Sequence, residues 1–237
     1  AYSLRCTPQV IGPVLDILQF ALKTAQIEIN SATDNPLLFG QIAISGGNFH
    51  GQPVGLVADY LKIALAEVGA IAERRIYRLL DPKTNHGLPA MLVAESDMEG
   101  THSGLMMLQY TAAALALENQ TLATPDSIHS LPTSAGQEDH NANSTTAARR
   151  LSQVVANVQK ILAIECLVAC QAIDIRLKNN PNVQLGAGSL RLYERVRQET
   201  PFIDHDQPMK DYIVRLWCLV AEGELASIVD DCIDQPA

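Results

Sequence analysis

The sequence predicts a mainly α fold in which long, nearly antiparallel helices form a bundle. Three observations carry that expectation. Apolar residues recur at three- and four-residue spacing over segments far longer than a strand. Loops rich in Gly, Pro, Asn, Asp, Ser and Thr separate those segments, and period-two alternation is scarce. With 237 residues, 47% of them hydrophobic and 18% charged, the chain is large enough to bury a core without disulfides or metals, and intrinsic disorder is excluded.

Taken in order, Thr7-Pro8 reads as an N-cap followed by proline at the first helical position. The helix it opens carries Val10, Val14, Leu15, Leu18, Leu22, Ala25 and Ile29 on one face. It should end before Asp34-Asn35-Pro36, where an Asx turn and a proline stop it. Residues 41–45 suit a short strand, and Ser45-Gly46-Gly47-Asn48-Phe49-His50-Gly51 is a loop. Residues 53–80 then hold Leu61, Leu65, Val68, Ala72, Ile76 and Leu79 at helical spacing, a rod of roughly 40 Å at 1.5 Å per residue. A loop over residues 81–100 precedes a helix at 103–122, stopped by Thr124-Pro125. Residues 126–144 form a polar loop of a length usually kept for function. The longest helix opens at Thr145 or Thr146 and runs towards Ile175 through Leu151, Val155, Val158, Leu162, Leu167 and Cys170. A linker and two shorter helices follow, the second announced by Asp206-Gln207-Pro208. The expected division is a central bundle with active-site loops over 1–176, then a C-terminal linker and shorter helices over 177–237.

Charge and cysteine usage narrow the function classes. A formal charge of −9 and no basic cluster argue against nucleic acid. No uninterrupted apolar run reaches the roughly 18 residues of a spanning helix, so no membrane partner is expected. Cys6, Cys166, Cys170, Cys218 and Cys232 form no Cys-x-x-Cys pair and suit reduced thiols in the cytoplasm. The six histidines include no His-x-x-x-His or His-Glu-x-x-His spacing, so no metal site is expected. Ser134, Asp139 and His140 share one short loop, which rarely reaches triad geometry.

Four segments carry more. They are Tyr2-Ser3-Leu4-Arg5-Cys6 with Pro8-Gln9; Asp34-Asn35-Pro36-Leu37; Gly46-Gly47-Asn48-Phe49-His50-Gly51; and the run Leu131-Pro132-Thr133-Ser134-Ala135-Gly136-Gln137-Glu138-Asp139-His140. In content and order they resemble the C-terminal part of the aromatic amino-acid ammonia-lyases, over residues 1–176, and within them the histidine-directed members. The resemblance implies a fumarase/aspartase-like helical fold and a homotetramer with shared active sites. It also implies elimination of ammonia from L-histidine to give urocanate. The electrophile would be 4-methylideneimidazol-5-one (MIO), made by cyclisation of Ala-Ser-Gly. That tripeptide is absent from the sequence, and the opening Ala-Tyr-Ser-Leu-Arg reads as the middle of a longer protein. The chain alone is therefore expected to be inactive, with the N-terminal part of the same enzyme as its partner.

The resemblance also assigns roles. Arg5 would hold the substrate carboxylate, a task suited to a guanidinium fork. Tyr2 would act beside the electrophile, Phe49 would pack next to it, and Asn35 would stand at the edge of the site. Glu138, following Gln137, marks the histidine-directed pattern, since a carboxylate accepts an imidazole N–H or the proton of departing ammonia. Gln52 stands where relatives often carry Glu, and the Asn-Ala-Asn-Ser ending at 141–144 departs from the family pattern. The residues by themselves also suit plainer roles: Arg5 capping or pairing near the first helix, Tyr2 and Phe49 as packing aromatics, Asn35 as a turn-former and Glu138 as a solvated acid. Rival functions are a phenylalanine or tyrosine ammonia-lyase, an MIO aminomutase, and an inactive assembly fragment. The Gly-Ser-Ser-x-Met-Pro loop of fumarase-type enzymes is missing.

Overall fold

The computed structural model describes residues 1–94 and 100–233, so part of the expected 81–100 loop lies outside the described residues. The described residues are mainly helical, in the order α1 (Tyr2–Arg5), α2 (Thr7–Ile29), β1 (Leu37–Phe39), β2 (Ile42–Ile44), α3 (Gln52–Leu80), α4 (Met106–Leu122), α5 (Ser144–Asn179), α6 (Ala187–Glu199), α7 (Lys210–Ala221) and α8 (Glu224–Ile233). They form two compact units, Ala1–Val68 with Glu118–Ala156 and Gly69–Leu117 with Asn157–Ala237. Residues 177–237 fall within the second unit.

The helix start expected at Thr7 is shifted by one residue. Cys6 occupies the cap position, because the Thr7 hydroxyl donates to the Ser3 carbonyl (3.0 Å) of the short turn α1. Helix α2 buries only Val14 and Ala21, leaving Leu15, Leu18, Leu22 and Ile29 at least half exposed. By length and composition it is also apolar enough to cross a membrane. Asp16 and Lys23 interrupt its apolar run, so no unbroken stretch marks it in the sequence. The short strand found at Ile42–Ile44 pairs antiparallel with Leu37–Phe39, in the register Leu37↔Ile44 and Phe39↔Ile42. Pairing with Leu37–Phe39 was not legible, since three consecutive apolar residues show no alternation.

In the first unit, α3 contributes Val57, Ala58 and Ala64 to the interior. The two polar residues Asp59 and Lys62 are buried beside them. In the second unit the core comprises Ala72, Ile76 and Leu80 of α3, Leu108 and Ala112 of α4, Ile161, Ile164, Leu167 and Val168 of α5, and Val196, Leu216 and Leu219 of the shorter helices. A buried amide fixes the returning chain there: Gln171 donates to the Ile203 carbonyl (2.8 Å) and accepts the Ile203 N–H (3.0 Å). Since a buried amide without partners is costly, this reciprocal pair ties residue 203 to α5.

Candidate active site

The first unit contains a cavity of about 750 Å3 lined by Phe49, His50, Gly51, Thr133 and residues 137–146. Phe49 comes from the loop between β2 and α3, and Gln137 and Glu138 come from the loop before α5. The fold thus brings Phe49, Gln137 and Glu138 together although some 90 residues separate the two loops. Tyr2, Arg5 and Asn35 do not line this cavity. Tyr2 and Arg5 lie exposed on α1. Among the described residues, the cavity of similar size in the second unit, about 730 Å3, is lined by one carboxylate, that of Asp206. That group already accepts the N–H groups of Ser103 (2.8 Å) and Gly104 (3.0 Å).

Glu138 is held by a tight reversal of its own loop. Thr133 and Glu138 form an antiparallel bridge, with Thr133 N–H donating to the Glu138 carbonyl (2.9 Å) and Glu138 N–H to that of Thr133 (3.3 Å). Between them Ser134, Ala135 and Gly136 have φ of +51°, +55° and +87°. Glycine adopts this left-handed region freely, whereas each L side chain there costs on the order of 1–2 kcal/mol. Ser134 and Ala135 therefore store strain that the surrounding hydrogen bonds must offset. One of those bonds orients the acid directly: the Thr133 hydroxyl donates to Glu138 Oε2 at 2.5 Å. Asn141 supports the arrangement by donating to the Leu131 carbonyl and towards the Thr133 hydroxyl (3.4 Å).

The Phe49 loop is tied to the same segment. His50 Nδ1 accepts the Gln52 N–H (3.3 Å), so its ring proton sits on Nε2, which donates to the His140 carbonyl (2.9 Å). The two imidazoles stack, 5.8 Å apart and 6° from parallel. Gln52 Oε1 is buried and finds no hydrogen-bond partner among the described residues. Asn35 clasps the other end of the Phe49 loop: its Oδ1 accepts the Ser45 hydroxyl (3.0 Å) and the Gly46 N–H (3.1 Å). In this unit Asn35 thus performs the turn-holding role open to it from the sequence, and does so for the loop that presents Phe49.

Sequence reasoning missed Thr133, His50, Asn141 and Asn143. Thr133 lies inside the recognised run, but its hydroxyl becomes a partner for Glu138 only through the left-handed reversal. Asn143, which departs from the family pattern, uses its amide to donate to the carbonyls of His129 and Asp126, the latter at 3.4 Å. Its φ of +48° suits asparagine, among the non-glycine residues most tolerant of that region.

A family model for aromatic amino acid lyases matches residues 1–198. The histidine ammonia-lyase of Chloroflexus aurantiacus is 47% identical over 234 residues, covering 96% of this chain and 44% of that protein. That of Geobacillus thermodenitrificans is 49% identical over 208 residues, covering 87% of the chain and 40% of the relative. Among solved structures, histidine ammonia-lyase from Trypanosoma cruzi superposes with a TM-score of 0.89 at 38% identity, covering 98% of this chain and 44% of that one. Tyrosine aminomutase from Streptomyces globisporus gives 0.90 at 39%, covering 100% and 44%. The chain therefore spans a little under half the length of the relatives it matches.

Proposed function

The chain belongs to the aromatic amino acid lyase family, and from that premise we propose that it is the C-terminal part of a histidine ammonia-lyase, which converts L-histidine to urocanate and ammonia. The observation that carries the reading is Glu138, in the sequence Gln137-Glu138-Asp139-His140, lining one cavity with Phe49. In the elimination a base, expected from the N-terminal part of the enzyme, takes the Cβ proton. The electron pair of that bond becomes the second bond of Cα=Cβ, and the Cα–N bond breaks as ammonia leaves. Bound in this site, MIO supplies the electrophile that turns the amine into a better leaving group. The residues present leave room for that group. An added Cβ at Gly46 or Gly47 meets nothing within 4 Å, and the neighbouring Phe49 ring is half exposed. These residues would flank it.

The chain's own side chains divide the remaining work. Arg5, which lies outside the cavity of its own chain, would reach the substrate carboxylate from a neighbouring copy of the tetramer, a bidentate match for a guanidinium. Glu138, oriented by the Thr133 hydroxyl, accepts the imidazole N–H or the proton of the departing ammonia. Tyr2, outside the cavity like Arg5, would donate or accept a proton beside the electrophile from a neighbouring copy. Phe49 would pack next to the electrophile, and Gln137 would border the substrate. Asn35 would stand at the edge of the site through its hold on the Phe49 loop. The reading includes a cytoplasmic homotetramer with no membrane or nucleic-acid partner. The five free thiols suit a reducing compartment, and the exposed apolar stripe on α2 supplies a face for association between copies.

The likeness to a tyrosine aminomutase favours a second reading, in which ammonia returns to the β-carbon of an aromatic amino acid. An ultraviolet assay separates the two. The 237-residue chain alone, having no Ala-Ser-Gly, should release no urocanate from histidine. Extended by the Ala-Ser-Gly-bearing part of a lyase, it should do so. Coumarate, cinnamate or a β-amino acid as the product would sink the histidine reading.

A further inference from the structure

The first unit contains a buried charge cluster that the proposed chemistry does not use. Lys62 is fully buried on α3, one turn after Asp59. Its ammonium contacts Asp59 Oδ1 (2.8 Å), Asp126 Oδ2 (2.5 Å) and the Thr124 carbonyl (3.0 Å), so each of its three protons has an acceptor. Asp59 in turn accepts the backbone N–H of Asp126 on Oδ1 (3.1 Å) and of Ser127 on Oδ2 (2.8 Å). Arg150 completes the set from α5, donating to Asp126 Oδ1 at 2.6 Å. Two carboxylates and two cations leave the cluster neutral. Replacing such a set by apolar residues is often stabilising, so its value lies more in fixing geometry than in holding the fold together.

What it fixes is the segment carrying Glu138. Asp126 and Ser127 open that segment, and Ala142 to Ser144 close it. The closing end lies against the start of α3 at two glycines. A Cβ on Gly55 would come within 2.9 Å of the Ala142 carbonyl, and one on Gly51 within 2.4 Å of Ser144 Oγ. The first three turns of α3 therefore hold both ends of a segment whose middle presents Glu138 to the cavity.

We propose that Lys62 is a positioning residue. By pinning Asp59 and Asp126 it sets the placement of Glu138 and hence the choice among amino-acid substrates. The proposal rests on the reading of Glu138 as the group that faces the substrate side chain. Its test uses the intact MIO-bearing enzyme with Lys62→Met, and with the gentler Asp59→Asn should the first fail to fold. Amide exchange at residues 126–143 should quicken by about tenfold while that at 161–175 is unchanged. The preference for histidine over tyrosine in kcat/KM should narrow by about tenfold, with most of the loss in kcat. Unchanged exchange overturns the proposal, and so does faster exchange with an intact substrate preference and kcat. A wild-type enzyme that prefers tyrosine displaces the functional reading alone. The same two measurements, made with tyrosine as the reference substrate, then decide the role of Lys62.

Discussion

The Thr133 hydroxyl is the smallest group on which the site's chemistry turns, because it determines how one Glu138 oxygen is presented. A hydrogen bond to a charged group is worth about 1.5–3 kcal/mol. Thr133→Val keeps the shape and removes that bond, so kcat/KM for histidine in the intact enzyme should fall at least about tenfold. Steady-state assays check it, and an unchanged kcat/KM would deny Thr133 its orienting role. Cysteine chemistry offers a second expectation at this scale. Burial, reinforced by the neighbouring Glu165 and Cys170, raises the Cys166 thiol to about 12. Burial likewise raises Cys170 to about 11, against a partly opposing Arg197. With so little thiolate at neutral pH, neither should react with iodoacetamide in the native chain, whereas exposed Cys218 should, as mass spectrometry of the labelled chain would report. Of the site residues, Glu138, Gln137 and Phe49 were legible because they belong to contiguous runs. Thr133 was not, since its partner depends on two left-handed residues that no propensity favours.

Elements were legible to the extent that their periodicity was long. The helices expected at 53–80 and from 145 or 146 are found as Gln52–Leu80 and Ser144–Asn179, because many apolar residues vote for each. The four-residue turn α1 and the strand Leu37–Phe39 are too short to carry a period. Lys62 is the instructive failure: a lysine in a helix reads as a solvated position. Its burial depends on Asp126, 64 residues away, which no local pattern reveals. The same cluster gives α3 a pH dependence. Burial pulls the Asp59 carboxyl upward. Hydrogen bonds from Lys62, from Ser127 and from the backbone of Asp126 outweigh this, leaving it below the ordinary carboxylate value. A depressed native value adds stability above the unfolded value of about 3.9, and that stability is lost as pH falls through the native one. Amide protection at residues 126 and 127, corrected for intrinsic exchange rates, should therefore hold near neutrality and fall away below about pH 4. Asp59→Asn should be weaker throughout and lack that acid step. An acid step of the same size in Asp59→Asn would assign it to another carboxylate.

For the whole molecule, the question is what covers α2. The second unit has a dense core, yet Leu15, Leu18, Leu22 and Ile29 leave half or more of their surface to solvent along one stripe. Their spacing, three, four and seven residues apart, is that of a helix seeking another helix. Full burial of a leucine is worth about 1.5–3 kcal/mol, so a half-exposed one has on the order of 1 kcal/mol still to gain. In a two-fold interface every substitution counts twice. Leu18→Glu with Leu22→Glu thus removes four such contributions, weakening self-association on the order of a thousandfold. Sedimentation should find the wild-type chain associating at micromolar concentration and the double variant monomeric. Because Leu18 and Leu22 leave half or more of their surface to solvent, the double variant should keep the helical content of the wild type, as circular dichroism would report. Should the variant associate as the wild type does, α2 is not the joining face. The exposed apolar residues of β1 and β2, Leu38, Phe39, Ile42 and Ile44, become the surface to substitute next.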